Sequence, residues 1–412
     1  MRNIQGGKMV RGIVCRWLML LGFFLPLISL QAQTFTNFTT IDDPLAAGGI
    51  SGGCYVEGIS SNMVVGYFYN GTGRHGFYHV LGTSTYTTLD DPASITSLGT
   101  NTAAFGISGR NIVGQYEGST GLYGFLYNLD SGTYYTISPP NSISSGESSS
   151  EAYGIDGTNI VGYYVYNGRP GDDTFSFLAT FTPSQPGSFN YTTLYIPIPE
   201  EITVTFTNYV TEFTGISGNN VVGAVVDTNS LHHGLVYNLN TQAYTFLTNA
   251  ANGGIIFPHG INGNQMVGYY SDPAKSFNDS GFLLTFGIPN LIEIADPLGL
   301  EATFATGTYG GLVVGYYVDG SGADHGFVVG TPTVSPPVVD LVIVSGNQFS
   351  VTVTNGVASV PFAILSSPSL QLPLNQWTVA SSNVLGTNGS FTITNTINTL
   401  PTNMFYRVVE YP

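Results

Sequence analysis

The chain has 412 residues with a formal net charge of −16, from 25 acidic and only nine basic side chains. This balance excludes nucleic acid and anionic membranes as expected partners. Gly (53), Tyr (26) and Phe (25) are abundant while charged residues make up 8%, a mixture typical of many short strands joined by tight turns.

The N-terminal residues 1–32 have the pattern of a signal peptide. Four basic side chains precede an apolar run, Trp17–Leu30, and small or polar residues follow around Ala32. The run of about 14 residues is shorter than the roughly 20 that a membrane span needs. We therefore expect an exported protein, extracellular or on the cell surface, without a membrane span. Only Cys54 remains after cleavage, so no disulfide within one chain is expected.

The main body, residues 34–330, repeats one pattern six times. Each copy contains Gly-Ile, a polar turn and then Val-Val-Gly or a close variant, and successive copies are 48, 48, 61, 45 and 47 residues apart. Such regularity predicts one supersecondary unit per copy. The copies begin at Gly58, Gly106, Gly154, Gly215, Gly260 and, more loosely, Gly307.

Each copy contains about four strands. An aromatic segment such as His75-Gly76-Phe77-Tyr78 follows each Val-Gly, and a further strand such as Tyr86–Leu89 follows a turn. Four short strands within 45 to 50 residues match a propeller blade. The sequence therefore predicts an all-β, six-bladed β-propeller. The Gly-Ile strand is expected innermost and the Tyr-Thr-Thr strand outermost.

The two ends of the array predict how the ring closes. The chain enters the array with Phe38–Pro44, a fourth-strand sequence that lacks the three strands expected before it. The sixth copy has the opposite defect, because it runs from Phe327 directly into Thr331-Pro332. We therefore expect the N-terminal strand to complete the last blade, which would hide both sheet edges.

The motifs of residues 34–330 resemble a known repeat family. His-Gly-Phe-x-Tyr, Tyr-Thr-Thr-Leu-Asp-Asp-Pro and Gly-Ile-Ser-Gly-x-x-Val-Val-Gly-Tyr-Tyr are similar to the HAF-type extracellular repeats of exported bacterial proteins. The resemblance implies export and a repeated β architecture. It brings no established activity and no catalytic residues.

A second domain is predicted at the C-terminus. Residues 331–339 form a Pro-rich linker, and residues 340–412 read as a small β-sandwich-like module. The segment resembles C-terminal modules that recur on exported bacterial proteins, which implies surface attachment or secretion sorting. Its predicted strands are Leu341–Val344, Phe349–Val353, Val360–Leu365, Trp377–Ala380, Phe391–Thr394 and Phe405–Val409.

Histidines and paired aspartates recur in the repeats. His75, His233 and His325 share one repeat position, but equivalent positions on different blades lie far apart, so packed or capping histidines are favoured over a metal ring. Asp42-Asp43 and Asp90-Asp91 each precede proline. There aspartate satisfies nearby backbone donors, and this interpretation is preferred to calcium binding because no Asp-x-Asp-x-Asp loop completes a ligand shell.

Two glutamates are placed near the expected channel. Glu151 and Glu212 each stand three residues before a Gly-Ile, and two carboxylates flanking a channel suit acid and base roles in sugar cleavage. The alternative is that the equivalent placement of the two glutamates is incidental. The third repeat also carries the longest insertions, around Asn167–Asp173 and Pro183–Val210. Long loops on a rigid scaffold often carry binding, and a neutral surface insertion is the alternative. At the position of Glu151 and Glu212, the other repeats have Tyr55, Ala103, Phe257 and Phe304.

The sequence predicts no catalytic, cofactor-binding or metal-binding residues. Our leading interpretation is a secreted or surface-displayed, non-catalytic module that binds a polysaccharide or a cell-surface protein, or acts structurally, and we expect a monomer. The alternative is a secreted polysaccharide-active hydrolase or lyase that uses Glu151 and Glu212. Carboxylates converging in one cleft would favour the enzyme, whereas a plugged channel would favour binding or scaffolding.

Overall fold

The computed structural model describes residues 35–47, 52–94, 99–140, 143–144, 147–166, 173–196, 210–226, 232–247, 256–271, 279–286, 291–331, 338–345, 348–354, 361–368, 376–384, 391–396 and 405–410. These ranges contain no α-helix, and accordingly none that is long and apolar enough to cross a membrane. The predicted signal peptide, residues 1–32, lies outside the described residues.

The first three blades are antiparallel sheets of strands in chain order. A short strand, β1 (Thr39–Ile41), precedes them. Blade 1 is β2 (Gly53–Ser60), β3 (Met63–Asn70), β4 (Gly73–Val80) and β5 (Tyr86–Leu89). Blade 2 is β6 (Thr100–Ser108), β7 (Asn111–Gly118), β8 (Gly121–Asn128) and β9 (Thr133–Ile137). A two-residue strand, β10 (Ile143–Ser144), leads into blade 3, which is β11 (Glu147–Asp156), β12 (Asn159–Tyr166), β13 (Asp173–Thr182) and β14 (Gln185–Leu194).

The remaining three blades follow the same order. Blade 4 is β15 (Thr211–Ser217), β16 (Asn220–Val226), β17 (His232–Asn238) and β18 (Tyr244–Leu247). Blade 5 is β19 (Ile256–Asn262), β20 (Gln265–Ser271), β21 (Asp279–Thr285) and β22 (Leu291–Ile294). Blade 6 takes only β23 (Ala302–Tyr309), β24 (Leu312–Val318) and β25 (Asp324–Gly330) from this part of the chain.

The six blades form a closed ring, which confirms the predicted fold. The first strand of each blade contacts the first strand of the next, and β23 of blade 6 contacts β2 of blade 1. The fourth strand of blade 6 is β1, which pairs antiparallel with β25 so that Ile41 faces Gly326. Leu89 faces Gly76 in the same register in blade 1. The N-terminal strand therefore completes the last blade and covers its edge.

Burial between blades supplies the core. The Phe of each His-Gly-Phe position, or its equivalent, is at most 1% exposed, and each such side chain contributes about 1.5–3 kcal/mol by leaving water. The position recurs because alternate residues of a strand face the same neighbouring blade. The six residues are Phe77, Phe125, Phe177, Leu235, Phe282 and Phe327.

One part of the long insertion in repeat three differs from the expected loop. Residues 185–194 within Pro183–Val210 form β14, the outermost strand of blade 3. Phe189 and Tyr191 of this strand pack against the core of the blade, which explains why the segment is ordered as a strand. Residues 167–172 and 197–209 lie outside the described residues.

The C-terminal region contains two three-stranded antiparallel sheets. The first joins β26 (Val338–Ser345), β27 (Gln348–Thr354) and β30 (Phe391–Thr396). The second joins β28 (Pro361–Ser367), β29 (Thr378–Val384) and β31 (Phe405–Glu410). All six predicted strands have a counterpart here. The boundary at residues 331–339 stays a prediction, since residues 332–337 lie outside the described residues.

Candidate functional site

Every innermost strand has a β-bulge at the residue before its Gly-Ile. In blade 1, for example, Val56 pairs with Gly66 and Gly58 with Val65, so Glu57 is the extra residue. A bulge bends the strand and re-aims the extra side chain. All six extra side chains line the central channel as one layer. They are Glu57, Phe105, Tyr153, Thr214, His259 and Thr306.

Glycine follows each bulge because the blades converge there. A Cβ at Gly58 would lie 2.6 Å from the carbonyl oxygen of Phe105 in blade 2, and one at Gly215 would lie 2.8 Å from that of His259. Such distances are shorter than any real Cβ contact. The first glycine of the repeat motif is thus required by blade packing, and six equivalent glycines form the narrow part of the ring.

A second layer of side chains lies two residues before the bulge. It contains Glu151 and Glu212, at equivalent positions on adjacent blades as the sequence alignment indicates. Each member pairs with a residue of the second strand. The six pairs are Tyr55 with Tyr67, Ala103 with Gln115, Glu151 with Tyr163, Glu212 with Ala224, Phe257 with Tyr269, and Phe304 with Tyr316.

Nine aromatic rings, from these two layers and from the paired second-strand residues, form a continuous series around the channel, which we call the aromatic belt. Neighbouring ring centroids lie 4.3–6.2 Å apart, within the range of favourable aromatic contacts. The belt is interrupted at blade 4, where Glu212, Thr214 and Ala224 take the equivalent positions. In order around the ring it consists of Phe257, Tyr269, Phe304, Tyr316, Tyr55, Tyr67, Phe105, Tyr153 and Tyr163.

Six rings of the aromatic belt and three titratable groups line a cavity of about 170 Å³. Its polar lining includes Glu57, Glu212 and His259, together with two threonines. A smaller cavity of about 60 Å³ adjoins it and is lined by the bulge residues and the Gly-Ile pairs. The aromatic lining of the larger cavity consists of Tyr153, Tyr163, Phe257, Tyr269, Phe304 and Tyr316.

Glu57 and His259 face each other in the cavity as an uncharged pair. The Glu57 side chain is 7% exposed, and its Oε2 lies 3.7 Å from Nε2 of His259. Burial raises the pKa of Glu57 to about 8, although Arg74 opposes the shift. Burial lowers the pKa of His259 to about 4. The His259 Nδ1 donates to the carbonyl oxygen of Thr306 at 3.1 Å, which leaves Nε2 as an acceptor at neutral pH.

This arrangement predicts that Glu57 lowers the free energy of unfolding as pH rises. The carboxyl has an ordinary pKa of 4.5 and a folded-state pKa of about 8, so the unfolded chain ionises first and stability falls as pH rises between these values. We expect Glu57→Gln to be more stable than the natural chain at about pH 8.5 and to lose this advantage at about pH 5. Urea unfolding of both proteins at each pH measures the difference.

The exposed Glu301, changed to Gln, is the control for that measurement, because its carboxyl is solvated in both states. Its unfolding free energy should follow the natural chain at both pH values. A constant difference between Glu57→Gln and the natural chain across this range would contradict the assignment of a buried neutral carboxyl.

Glu151 belongs to a hydrogen-bonded network. It accepts from the hydroxyls of Tyr153 at 3.0 Å and Tyr163 at 3.4 Å. With the Gln115 amide nitrogen turned toward Glu151, it also accepts from Gln115 at 2.6 Å, and the Gln115 oxygen accepts from Arg74 Nη1 at 3.1 Å. Burial raises the pKa of Glu151, and these hydrogen bonds and Arg74 limit the shift. All three donors bind the same oxygen, Oε2, so one side of this carboxyl is held by the protein.

Glu212 differs, because its carboxyl makes no hydrogen bond to any residue that the structure describes. Burial, and then the negative charge of Glu151, raise its pKa to about 7. The group is half-buried and faces the cavity. Glu212 thus lines the cavity without a donor from the described residues, whereas Glu151 is bound through Oε2 and is not among the lining residues.

The sequence missed two residues of this cavity. Glu57 and His259 occupy the position directly before Gly-Ile, which holds Phe, Tyr or Thr in the other repeats. Comparing the residue at that position across the six repeats would have singled out the two titratable side chains. Their importance depends on the bulge and on burial, neither of which the repeat pattern reveals.

The recurring histidines lie away from the cavity and pair with the Asp-Asp-Pro motifs. His75 Nδ1 lies 2.9 Å from Asp90 Oδ2, and His325 Nδ1 lies 2.8 Å from Asp42 Oδ2. Partial burial lowers the pKa of His325, but Asp42 and Asp319 outweigh this effect and the pKa is raised. The histidine of the third strand thus binds the first aspartate after the fourth strand, and in blade 6 this contact joins the two ends of the array. His233 lies at the equivalent position on β17.

The second aspartate of each pair caps the turn that leads to the next blade. Asp43 Oδ1 accepts from the backbone nitrogen of Leu45 at 2.9 Å, and Asp91 Oδ1 accepts from that of Ala93 at 2.8 Å. These contacts are the local backbone bonds that aspartate makes before a turn. Within the described ranges, no group of three His, Cys, Asp or Glu side chains is arranged to hold a metal ion.

Neither a protein-family model nor a curated protein matches the sequence. Among solved structures, a prolyl endopeptidase matches at 11% identity and a TM-score of 0.40, over 88% of this chain and 51% of that chain. The chain therefore spans about half the length of that enzyme. A fungal lectin of Aleuria aurantia, a six-bladed β-propeller with fucose recognition, matches at 12% identity and a TM-score of 0.40, over 69% of this chain and 97% of that chain.

Proposed function

We propose that the chain is an exported, non-catalytic binding protein that takes a small polar molecule into the cavity of its central channel. The observation that carries this proposal is the cavity of about 170 Å³ lined by two carboxyls, Glu57 and Glu212, without hydrogen-bonding partners among the described residues. Buried polar groups are normally paired, so an unpaired carboxyl in a cavity is suited to a ligand.

Export to the extracellular space or the cell surface is part of the proposal. It is supported by the basic and apolar pattern of residues 1–32 and by the resemblance to extracellular repeats. The C-terminal module would attach the propeller to a surface or to a polysaccharide, and the rigid ring would present the cavity.

A polysaccharide-active enzyme is the second candidate. The specific observation in its favour is that Glu151 and Glu212 occupy equivalent positions on adjacent inner strands and that the pKa of Glu212 is raised to about 7, which suits a general acid. Two features oppose it. Glu151 is engaged by two tyrosines and Gln115, and the aromatic belt leaves room for a small molecule rather than for a polymer chain.

The deciding experiment measures binding and cleavage together. Residues 33–412 are titrated by calorimetry with a panel of monosaccharides, oligosaccharides and small charged molecules, and reducing-end release from polysaccharides is assayed on the same protein. We expect binding of a small molecule, weakened by Glu212→Gln and unchanged by Glu301→Gln, with no reducing ends. Cleavage that Glu212→Gln abolishes would replace this proposal with the enzyme.

A further inference from the structure

We propose that the ligand of the central cavity is a small organic cation, an alkylated ammonium group held between the aromatic belt and the carboxyl groups of Glu57 and Glu212. This inference rests on the proposed binding function and names the chemical class of the ligand.

The aromatic belt supplies the first argument. Six of its rings line the cavity, and a cation within about 6 Å of a ring centroid gains roughly 0.5–2 kcal/mol from each favourable face. The rings hold one another in place, since Phe304 stacks on Tyr316 at 4.7 Å and contacts Tyr269 edge-on at 5.0 Å. A preorganised cage of this kind binds an alkylated ammonium group without paying for side-chain ordering.

The free carboxyls supply the second argument. Glu57 is more than nine-tenths buried and aimed into the cavity, and its nearest polar group is the His259 nitrogen at 3.7 Å. Glu212 also faces the cavity without a hydrogen bond from a described residue. Two carboxyls that lack donors are complementary to a ligand that brings positive charge.

Three hydroxyl groups of the cavity offer a sugar acceptors rather than donors. Tyr153 donates to Glu151, Thr214 donates to the carbonyl oxygen of Pro258 at 3.1 Å, and Thr306 donates to that of Val56 at 2.7 Å. A sugar hydroxyl needs donors as well as acceptors, because it both accepts and donates. These three side chains already donate to protein atoms, so the groups that they leave to a ligand are mainly acceptors.

Among the described residues, no charged side chain forms an ion pair with Glu57 or Glu212, although Arg74 is near enough to oppose the rise in the pKa of Glu57. Arg74 is directed to Gln115 and lies 5.4 Å from the centre of the Tyr67 ring. His259 is uncharged at neutral pH because burial lowers its pKa to about 4. A bound cation would favour ionisation of both carboxyls and balance the charge that forms, and the net charge of −16 would favour its approach.

Binding should therefore release protons and tighten as pH rises. Glu212, with a pKa of about 7, is largely protonated at about pH 6 and largely ionised at about pH 8. We expect the affinity for a cation to rise about tenfold between these values. The titratable and charged groups that face the two carboxyls are Glu151, Tyr163 and Tyr269 around Glu212, and Arg74, His259, Tyr55, Tyr67, Tyr269 and Tyr316 around Glu57.

The test compares a cation with its neutral isostere. Choline and 3,3-dimethyl-1-butanol have nearly the same shape, but only choline is charged. Calorimetric titration of residues 33–412 should show choline binding at least about tenfold more tightly than the alcohol. Glu212→Gln and Phe304→Leu should each weaken choline binding by about tenfold, while Glu301→Gln should leave it unchanged. Thermal melts of all variants check that they fold.

The outcomes separate this inference from the proposed function. Equal binding of choline and the alcohol, or binding of a monosaccharide without choline, would overturn the cation inference and leave the binding function intact. Choline binding that is insensitive to Glu212→Gln and Phe304→Leu would place it outside the cavity and also overturn the inference. If no member of the panel binds, both proposals fail.

Discussion

Gly66→Ala is expected to destabilise the propeller by about 3 kcal/mol or more, and to lower its Tm by about 5–10 °C. Gly66 is the last residue of Val-Val-Gly in blade 1 and lies opposite Val56, next to the bulge at Glu57. A Cβ there would overlap the carbonyl oxygen of Tyr55. The obstruction is backbone rather than a flexible side chain, so the inner strand itself would have to move.

The reason applies to the whole ring. The bulge brings the carbonyl of the second-layer residue against the facing strand in every blade, and only glycine leaves room for it. The repeat retains this residue in six copies because the same clash recurs in each. The six glycines are Gly66, Gly114, Gly162, Gly223, Gly268 and Gly315.

Gly71→Ala is the matched control in the same blade. A Cβ at Gly71 would meet no heavy atom within 4 Å, so we expect a change of less than about 0.5 kcal/mol. Differential scanning calorimetry and urea unfolding measure both variants. Equal stability of Gly66→Ala and Gly71→Ala would show that the inner strand does not approach its neighbour as closely as described.

Removal of residues 33–44 is expected to open the ring. The deletion takes away β1, the buried side chains of Phe35 and Ile41, and the contact of Phe38 with Phe327 at 5.3 Å. Burial of the two side chains and the lost hydrogen bonds together correspond to about 5 kcal/mol or more. The unpaired edge of β25 would also promote aggregation.

Cys54 provides a direct readout of that opening. Its thiol is 1% exposed and lies under the N-terminal segment, with the backbone nitrogen of Asp43 at 3.4 Å from Sγ. Burial raises its pKa, so the thiol should be unreactive toward a disulfide reagent in the natural chain. In the shortened chain we expect fast labelling and a Tm lowered by about 10 °C or more.

A peptide of residues 34–45 is the control for the deletion. Added to the shortened chain, it should restore thiol protection by pairing with β25. A shortened chain that keeps the natural Tm and a protected thiol would contradict closure by β1.

Much of the fold was predictable because its determinants are local and repeated. Alternation within strands, glycine at turns and the spacing of six copies indicated the blades, and the surplus strand around Ile41 indicated the closure. The roles of individual residues were less accessible. Cys54, for example, is the blade 1 equivalent of Thr102 in blade 2. The Thr102 hydroxyl accepts the backbone N–H of Asp91 at 3.1 Å, and the Cys54 thiol is in the same position relative to the backbone nitrogen of Asp43.

By itself, the sequence determined the repeat unit and indicated six copies and the way in which the ends meet, since these follow from periodicity and from a count of strands. Only the tertiary structure decided the chemistry of the channel. Glu57, Glu212 and His259 lie on different blades and meet only when the ring is closed. Their charge states depend on burial, which raises the pKa of the carboxyls and lowers that of the imidazole, and burial is a property of the assembled ring rather than of any repeat.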